Sequence, residues 1–114
     1  MTPEGRVKKM VTSYLEDLRD KMELRGDKLH WSMFVPTGYG KRNTLDYTIC
    51  FCGEFIAIET KAPDEDLTPN QRLTCRDILG SGGKVFIISG VEGLRSFMEW
   101  VERHDYWEQW PAES

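Results

Sequence analysis

Nothing in the sequence approaches the run of about 20 apolar residues that crosses a bilayer. The opening stretch, MTPEGRVKKM, lacks the apolar block of a secretory leader. No membrane partner is expected, and the expected location is cytoplasmic. Cysteine is scarce: Cys50, Cys52 and Cys75 form an odd set without a framework spacing, which argues against a disulfide-stapled scaffold and for reduced thiols. Cys50-x-Cys52 has no second pair and no suitably spaced histidine, so a zinc site is not expected. His30 and His104 are isolated, and Gly38-Tyr39-Gly40-Lys41-Arg42 lacks P-loop spacing and reads as a flap beside Asp46. There is no internal repeat, low-complexity tract or linker. What is present is 114 residues, 39% apolar and 30% charged, the make-up of one globular domain (residues 1–114) with a single core.

The net charge of -4 argues against a nucleic-acid partner only if it is spread evenly, and it is not. From Glu92 onward six acids face only Arg95 and Arg103, so that segment carries the whole excess and residues 1–91 balance at zero. Within the neutral part Lys8 and Lys9 cluster with Arg6, Lys41 adjoins Arg42, and Arg72 stands one helical turn before Arg76. If the acids there hold metal, the remaining surface is net basic and suits phosphate. Solvated surface charge is the alternative for each pair.

Val7, Met10, Val11, Tyr14, Leu15, Leu18 and Met22 recur at three- and four-residue steps, predicting a helix from about Pro3 to Leu24, capped by Thr2. His30 to Val35 predicts a short strand. Leu45 to Cys52 and Glu54 to Lys61 predict a hairpin hinged at Gly53. Thr68-Pro69-Asn70-Gln71 is a capping box with proline at the first helical position, opening a helix that stops at Gly80, Gly82 and Gly83. Lys84 to Ser89 contains Val-Phe-Ile-Ile, a run typical of a strand covered on both faces. An acidic, aromatic helix over about 92–110 closes the chain. The order, helix, three strands, helix, strand, helix, predicts an α/β fold with a mixed four-stranded sheet flanked by helices.

The hairpin carries the chemistry. A two-residue turn at Cys52-Gly53 sets Phe51 opposite Glu54, Ile49 opposite Ile56 and Tyr47 opposite Ile58, with the apolar pairs on one face. Asp46 then faces Glu59 on the other side, and Lys61 shares that side because side chains repeat with period two. This sidedness depends on an even-length turn. Two carboxylates about 5 Å apart raise one another's pKa unless a cation joins them. Mg²⁺, or the similarly hard Mn²⁺, fits, since it needs only one or two carboxylates plus substrate phosphate. The Thr60 carbonyl is a further oxygen ligand in this reading, and Lys61 either stabilises a phosphorane-like state or positions the attacking water. The bland alternative is a surface Asp/Glu/Lys cluster. Ile56-Ala57-Ile58 immediately before Glu59 speaks against it, because exposed strands rarely end this way.

Asp46, followed by Glu59-Thr60-Lys61 closing an apolar strand, resembles the PD-(D/E)XK nuclease motif. Glu4 on an early helix, a glycine-containing loop before Asp46, Gln71 opening the next helix and the Val-Phe-Ile-Ile strand resemble its VRR-NUC branch, over roughly Pro3 to Glu99. Leu45 stands where that family usually has proline. The resemblance implies a restriction-endonuclease-like core and a metal-dependent DNA endonuclease. It further implies a homodimer selective for branched DNA such as four-way junctions. In it Glu4 supplies a third carboxylate and Gln71 orients water or phosphate. Their alternatives are a first-turn acid complementing the helix dipole and an amide fully occupied by its capping box. Rival functions are a duplex- or RNA-cleaving nuclease with the same site, or a catalytically silent DNA-binding or assembly subunit.

Overall fold

The computed structural model describes residues 1–36 and 42–104. The chain runs α1 (Pro3–Leu24), β1 (His30–Met33), β2 (Tyr47–Phe51), β3 (Glu54–Thr60), α2 (Pro69–Gly80), β4 (Lys84–Ile88) and α3 (Val91–Arg103). The four strands lie in the order β1-β2-β3-β4; the first three are antiparallel and β4 is parallel to β3. The mixed sheet and the element order expected from the sequence are therefore present. The flap segment with Lys41, and Tyr106, Trp107 and Trp110 of the expected longer final helix, lie outside the described residues.

Local chemistry accounts for the elements that position the site. In α1 the Thr2 hydroxyl accepts from the Gly5 N–H at 2.9 Å with Pro3 in the first turn. Its apolar stripe buries Val7, Val11, Leu15 and Met22. In α2 both halves of the capping box form between Thr68 and Gln71. The β2–β3 turn takes φ of 52° at Cys52 and 80° at Gly53. Positive φ at both central residues is what a two-residue hairpin loop needs to follow the strand twist. The turn length is even, and the register is Phe51 opposite Glu54, Ile49 opposite Ile56 and Tyr47 opposite Ile58.

That register sorts the sheet into two faces. Tyr47, Ile49, Phe51, Ile56, Ile58 and Ile88 join Val7, Val11 and Leu15 of α1 and Phe97, Trp100 and Val101 of α3 in the main core. Trp100, one of the tryptophans of the acidic end, packs there against Phe86 and Phe51, at ring separations of 5.7 and 6.3 Å. On the other face Leu45, Ala57 and Cys75 form a smaller cluster, flanked by Ile78 of α2. The molecule is an α/β/α sandwich, with α1 and α3 on one side and α2 on the other.

Val-Phe-Ile-Ile is met by a helix on each face, Phe86 by α3 and Val85 by α2, but the cover is incomplete. β4 is an edge strand, only Ile88 of it is buried, and Ile87 is 41% exposed. Ile87, at the edge of the sheet, and Phe55 of β3 remain exposed.

Candidate functional site

The two strand ends that meet beside α2 gather the acids. Just before β2, which begins at Tyr47, the Asp46 N–H donates to Glu59 Oε1 at 3.1 Å. The Asp46 carbonyl accepts from the Phe34 N–H at 2.7 Å, which ties this residue to the end of β1. On the β4 side the Lys61 N–H donates to the Ile88 carbonyl at 3.0 Å, carrying the parallel pairing one residue past β3. Asp46, Glu59, Thr60 and Lys61 are thus held by backbone on both flanks, and all four are buried, at 6, 1, 0 and 4% exposure.

Asp46 and Glu59 come together through shared partners. Asp46 Oδ2 accepts from both the N–H (2.9 Å) and the hydroxyl (2.6 Å) of Thr60. Thr60, expected to offer its carbonyl oxygen, meets Asp46 through these two donors. One nitrogen of Arg42, Nη2, lies 2.9 Å from Asp46 Oδ1 and 3.1 Å from Glu59 Oε1. Lys8 Nζ stands 3.9 Å from Asp46 Oδ1. Glu59 Oε2 accepts from the Gln71 side-chain amide at 2.7 Å. Gln71 forms the capping box expected of it, its Oε1 accepting from the Thr68 N–H at 2.9 Å, and its Nε2 is left to hold Glu59.

Tyr47 fastens this end of the sheet to α1. Its hydroxyl donates to the Lys8 carbonyl at 3.1 Å, leaving its oxygen to accept from Thr12 at 2.7 Å. Burial raises the Tyr47 pKa above that of an ordinary phenol; the Thr12 hydrogen bond opposes this and the Asp46 charge adds to it. The same contact brings Lys8 within reach of Asp46.

Glu59 has its pKa raised, first by burial and then by the charge of Asp46; Arg42, the Asp46 N–H and Lys61 pull it back less strongly. The same burial effect, with Glu59 second, raises the pKa of the Cys75 thiol, leaving it an inert packing residue. The folded protein keeps the Glu59 proton to a higher pH than the unfolded chain does. Between the two pKa values the native state binds more protons, so this group's contribution to stability falls as pH rises through that window. Glu59→Gln is accordingly expected to raise the melting temperature at neutral pH. That advantage should fade as pH drops toward about 4, where the unfolded carboxylate also protonates. Scanning calorimetry of both proteins across this range checks it, and a mutant less stable at neutral pH contradicts it.

Lys61 differs from the other cations. Among the described residues its ammonium has no hydrogen bond or ion pair, although it lies close enough to favour the charged form of Glu59. Glu4 does not join the acids: among the described residues no three His, Cys, Asp or Glu side chains converge on one ion site. It lines instead an open groove of about 730 Å³ with Arg6 and the loop Ala62, Pro63, Asp64 and Glu65, next to Lys61 in sequence. Lys9, Arg72 and Arg76 are exposed on α1 and α2, while Arg42 and Lys8 are at the acids themselves.

The bridging position of Arg42 is what sequence reasoning missed. Its side chain is fixed by Nε donating to the Thr44 carbonyl at 2.7 Å and by the Phe34 ring 4.6 Å from its Cζ. Its backbone carbonyl accepts from Asn70 of α2 at 2.8 Å. Arg42 and Asp46 are four apart, but that spacing brings side chains together only on a helix, and this segment is not one. No local pattern marks the contact.

The donor set suits a hard divalent ion and not a soft one. Among the described residues it offers the carboxylate oxygens of Asp46 and Glu59, with no thiol or imidazole converging with them on one ion site, and two carboxylates are as many as Mg²⁺ usually takes from a protein. A positively charged group already rests against Asp46 Oδ1 and Glu59 Oε1, so these oxygens are placed to share one cation. No family model, curated protein or solved structure matches the chain.

Proposed function

We propose that this chain is a Mg²⁺- or Mn²⁺-dependent endonuclease that hydrolyses phosphodiester bonds, similar to VRR-NUC members of the PD-(D/E)XK nucleases. Four-way junctions and other branched DNA are the preferred substrates in this reading, and the working form is a homodimer. A two-fold pair suits a domain this small, because it doubles the surface offered to a duplex and cuts two strands symmetrically. The observation that carries the reading is the buried Asp46–Glu59 pair sharing one cation, with Lys61 at the end of the same interior strand. Soluble domains rarely bury two acids and a lysine side by side without a task for them.

Each residue has a separate part. Asp46 and Glu59 would hold the ion through the oxygens that Arg42 now shares. When bound, the ion lowers the pKa of a water nucleophile and draws charge from the phosphate. Thr60 fixes the Asp46 carboxylate through two donors, and Gln71 fixes Glu59 through one. Held in this way, the acids need little reorganisation in the reaction. Lys61, with no competing partner among the described residues, supplies positive charge where the phosphate gains negative charge. Lys8 is placed to meet the scissile phosphate, and Lys9, Arg72 and Arg76 contact its neighbours.

A second reading has its own support. Arg42 bridges the acid pair from within, and a silent DNA-binding subunit would keep such a cluster for structure alone. Thermal denaturation separates the two. A metal site is expected to stabilise the fold by about 2.7 kcal/mol when Mg²⁺ or Mn²⁺ is in hundred-fold excess over Kd, seen as a raised melting temperature, with Asp46→Asn erasing the gain. A wild-type protein indifferent to both ions supports the silent subunit.

A further inference from the structure

The oxygens assigned to the divalent ion already hold a cation that belongs to the chain. A single guanidinium nitrogen, Arg42 Nη2, is in hydrogen-bond contact with Asp46 Oδ1 and Glu59 Oε1 at once. Nor is Arg42 loosely placed: Thr44, Phe34 and Asn70 hold it from three directions. Two cations cannot share the same pair of oxygens at such distances without strong repulsion. Arginine also cannot lose its charge at any ordinary pH, so the conflict is resolved only by movement.

The geometry points to Arg42 as an intramolecular latch on the acid pair. In the resting protein its guanidinium bridges Asp46 and Glu59, and a divalent ion and Arg42 compete for Oδ1 and Oε1. Substrate phosphate releases the latch, because it offers the planar guanidinium a two-point anionic partner of equal quality. Phosphate binding therefore raises affinity for the ion, and by reciprocity the ion raises affinity for phosphate. The resting site is thereby kept from loading metal away from DNA. This inference rests on the metal-site reading above and adds a regulatory step to it.

The test is Mn²⁺ uptake measured without DNA, by paramagnetic resonance of the free ion, for wild type, Arg42→Gln, Arg42→Lys and Asp46→Asn. If the latch leaves about a tenth of the wild-type molecules competent, Arg42→Gln binds Mn²⁺ about ten-fold more tightly. Arg42→Lys, a charge without the planar fork, should fall between the two. Asp46→Asn should bind none. Equal or weaker uptake by a folded Arg42→Gln, with wild-type uptake that depends on Asp46, overturns the latch and leaves the metal site standing. No uptake by wild type or by Arg42→Gln overturns both.

Should Arg42→Gln fail to fold, the wild type still decides. The Nε–H signal of Arg42, held by the Thr44 carbonyl, should shift as Mg²⁺ saturates the protein. A signal unmoved at saturation overturns the latch.

Discussion

Asp46→Asn is expected to abolish DNA cleavage, a loss of about 10³-fold or more, because an amide is a poor ligand for a hard divalent ion. The fold should survive the change. The asparagine carbonyl oxygen can still accept from the Thr60 N–H and hydroxyl, which hold Oδ2 in the wild type. Arg42 keeps Glu59 as its partner. The Asp46 charge that raises the Glu59 pKa is also removed, and relief of that repulsion offsets the lost ion pair with Arg42. Circular dichroism and a melting curve beside the cleavage assay separate lost chemistry from lost structure. Full activity in this variant would sink the assignment.

Lys61→Met is expected to slow cleavage by about 10²- to 10³-fold, the usual cost of removing one well-placed stabiliser of developing charge. Its stability should be no lower than that of the wild type, which sets it apart from an ordinary core mutation. Lys61 is buried as a residue and its ammonium has no hydrogen bond or ion pair among the described residues, so methionine removes no described partner and fills a similar volume. A distinct signature follows at the neighbouring acid. Lys61 lowers the Glu59 pKa, so the mutant should need a higher pH to deprotonate Glu59, and the acid limb of its residual activity should move upward. A pH–rate profile reads this directly, whereas a merely structural lysine would leave the limb in place.

Much of the fold was legible because its determinants are local. Thr2-Pro3 and Thr68-Pro69-Asn70-Gln71 cap their helices by hydrogen bonds to residues three positions on. The hairpin register follows from a two-residue turn and the period of side chains along a strand, and that register brings Asp46 to Glu59. Features that depend on how distant elements meet were not legible. Val-Phe-Ile-Ile reads alike in an interior or an edge strand, and it is the place of β4 at the sheet edge that goes with the open Ile87. The stripe of α1 establishes which face is buried but not how far its first turn sits from the acids, which is why Glu4 lines the groove with Pro63 and Asp64. The capping box of Gln71 is local and legible, whereas the bond from the other end of its amide to Glu59 depends on where α2 meets the sheet. Arg42 reaches Asp46 through a non-helical segment held by Phe34 and Asn70, contacts with no signature in sequence spacing.

The most direct measurement is cleavage of end-labelled four-way-junction and linear duplex DNA by the wild-type protein, in Mg²⁺ or Mn²⁺ and in excess chelator, with Asp46→Asn alongside. The account predicts cutting of the junction in preference to the duplex, lost with chelator and lost in the mutant. Cleavage that persists in chelator or in Asp46→Asn, or a protein that binds junction DNA and cuts neither substrate under any of these conditions, would contradict it.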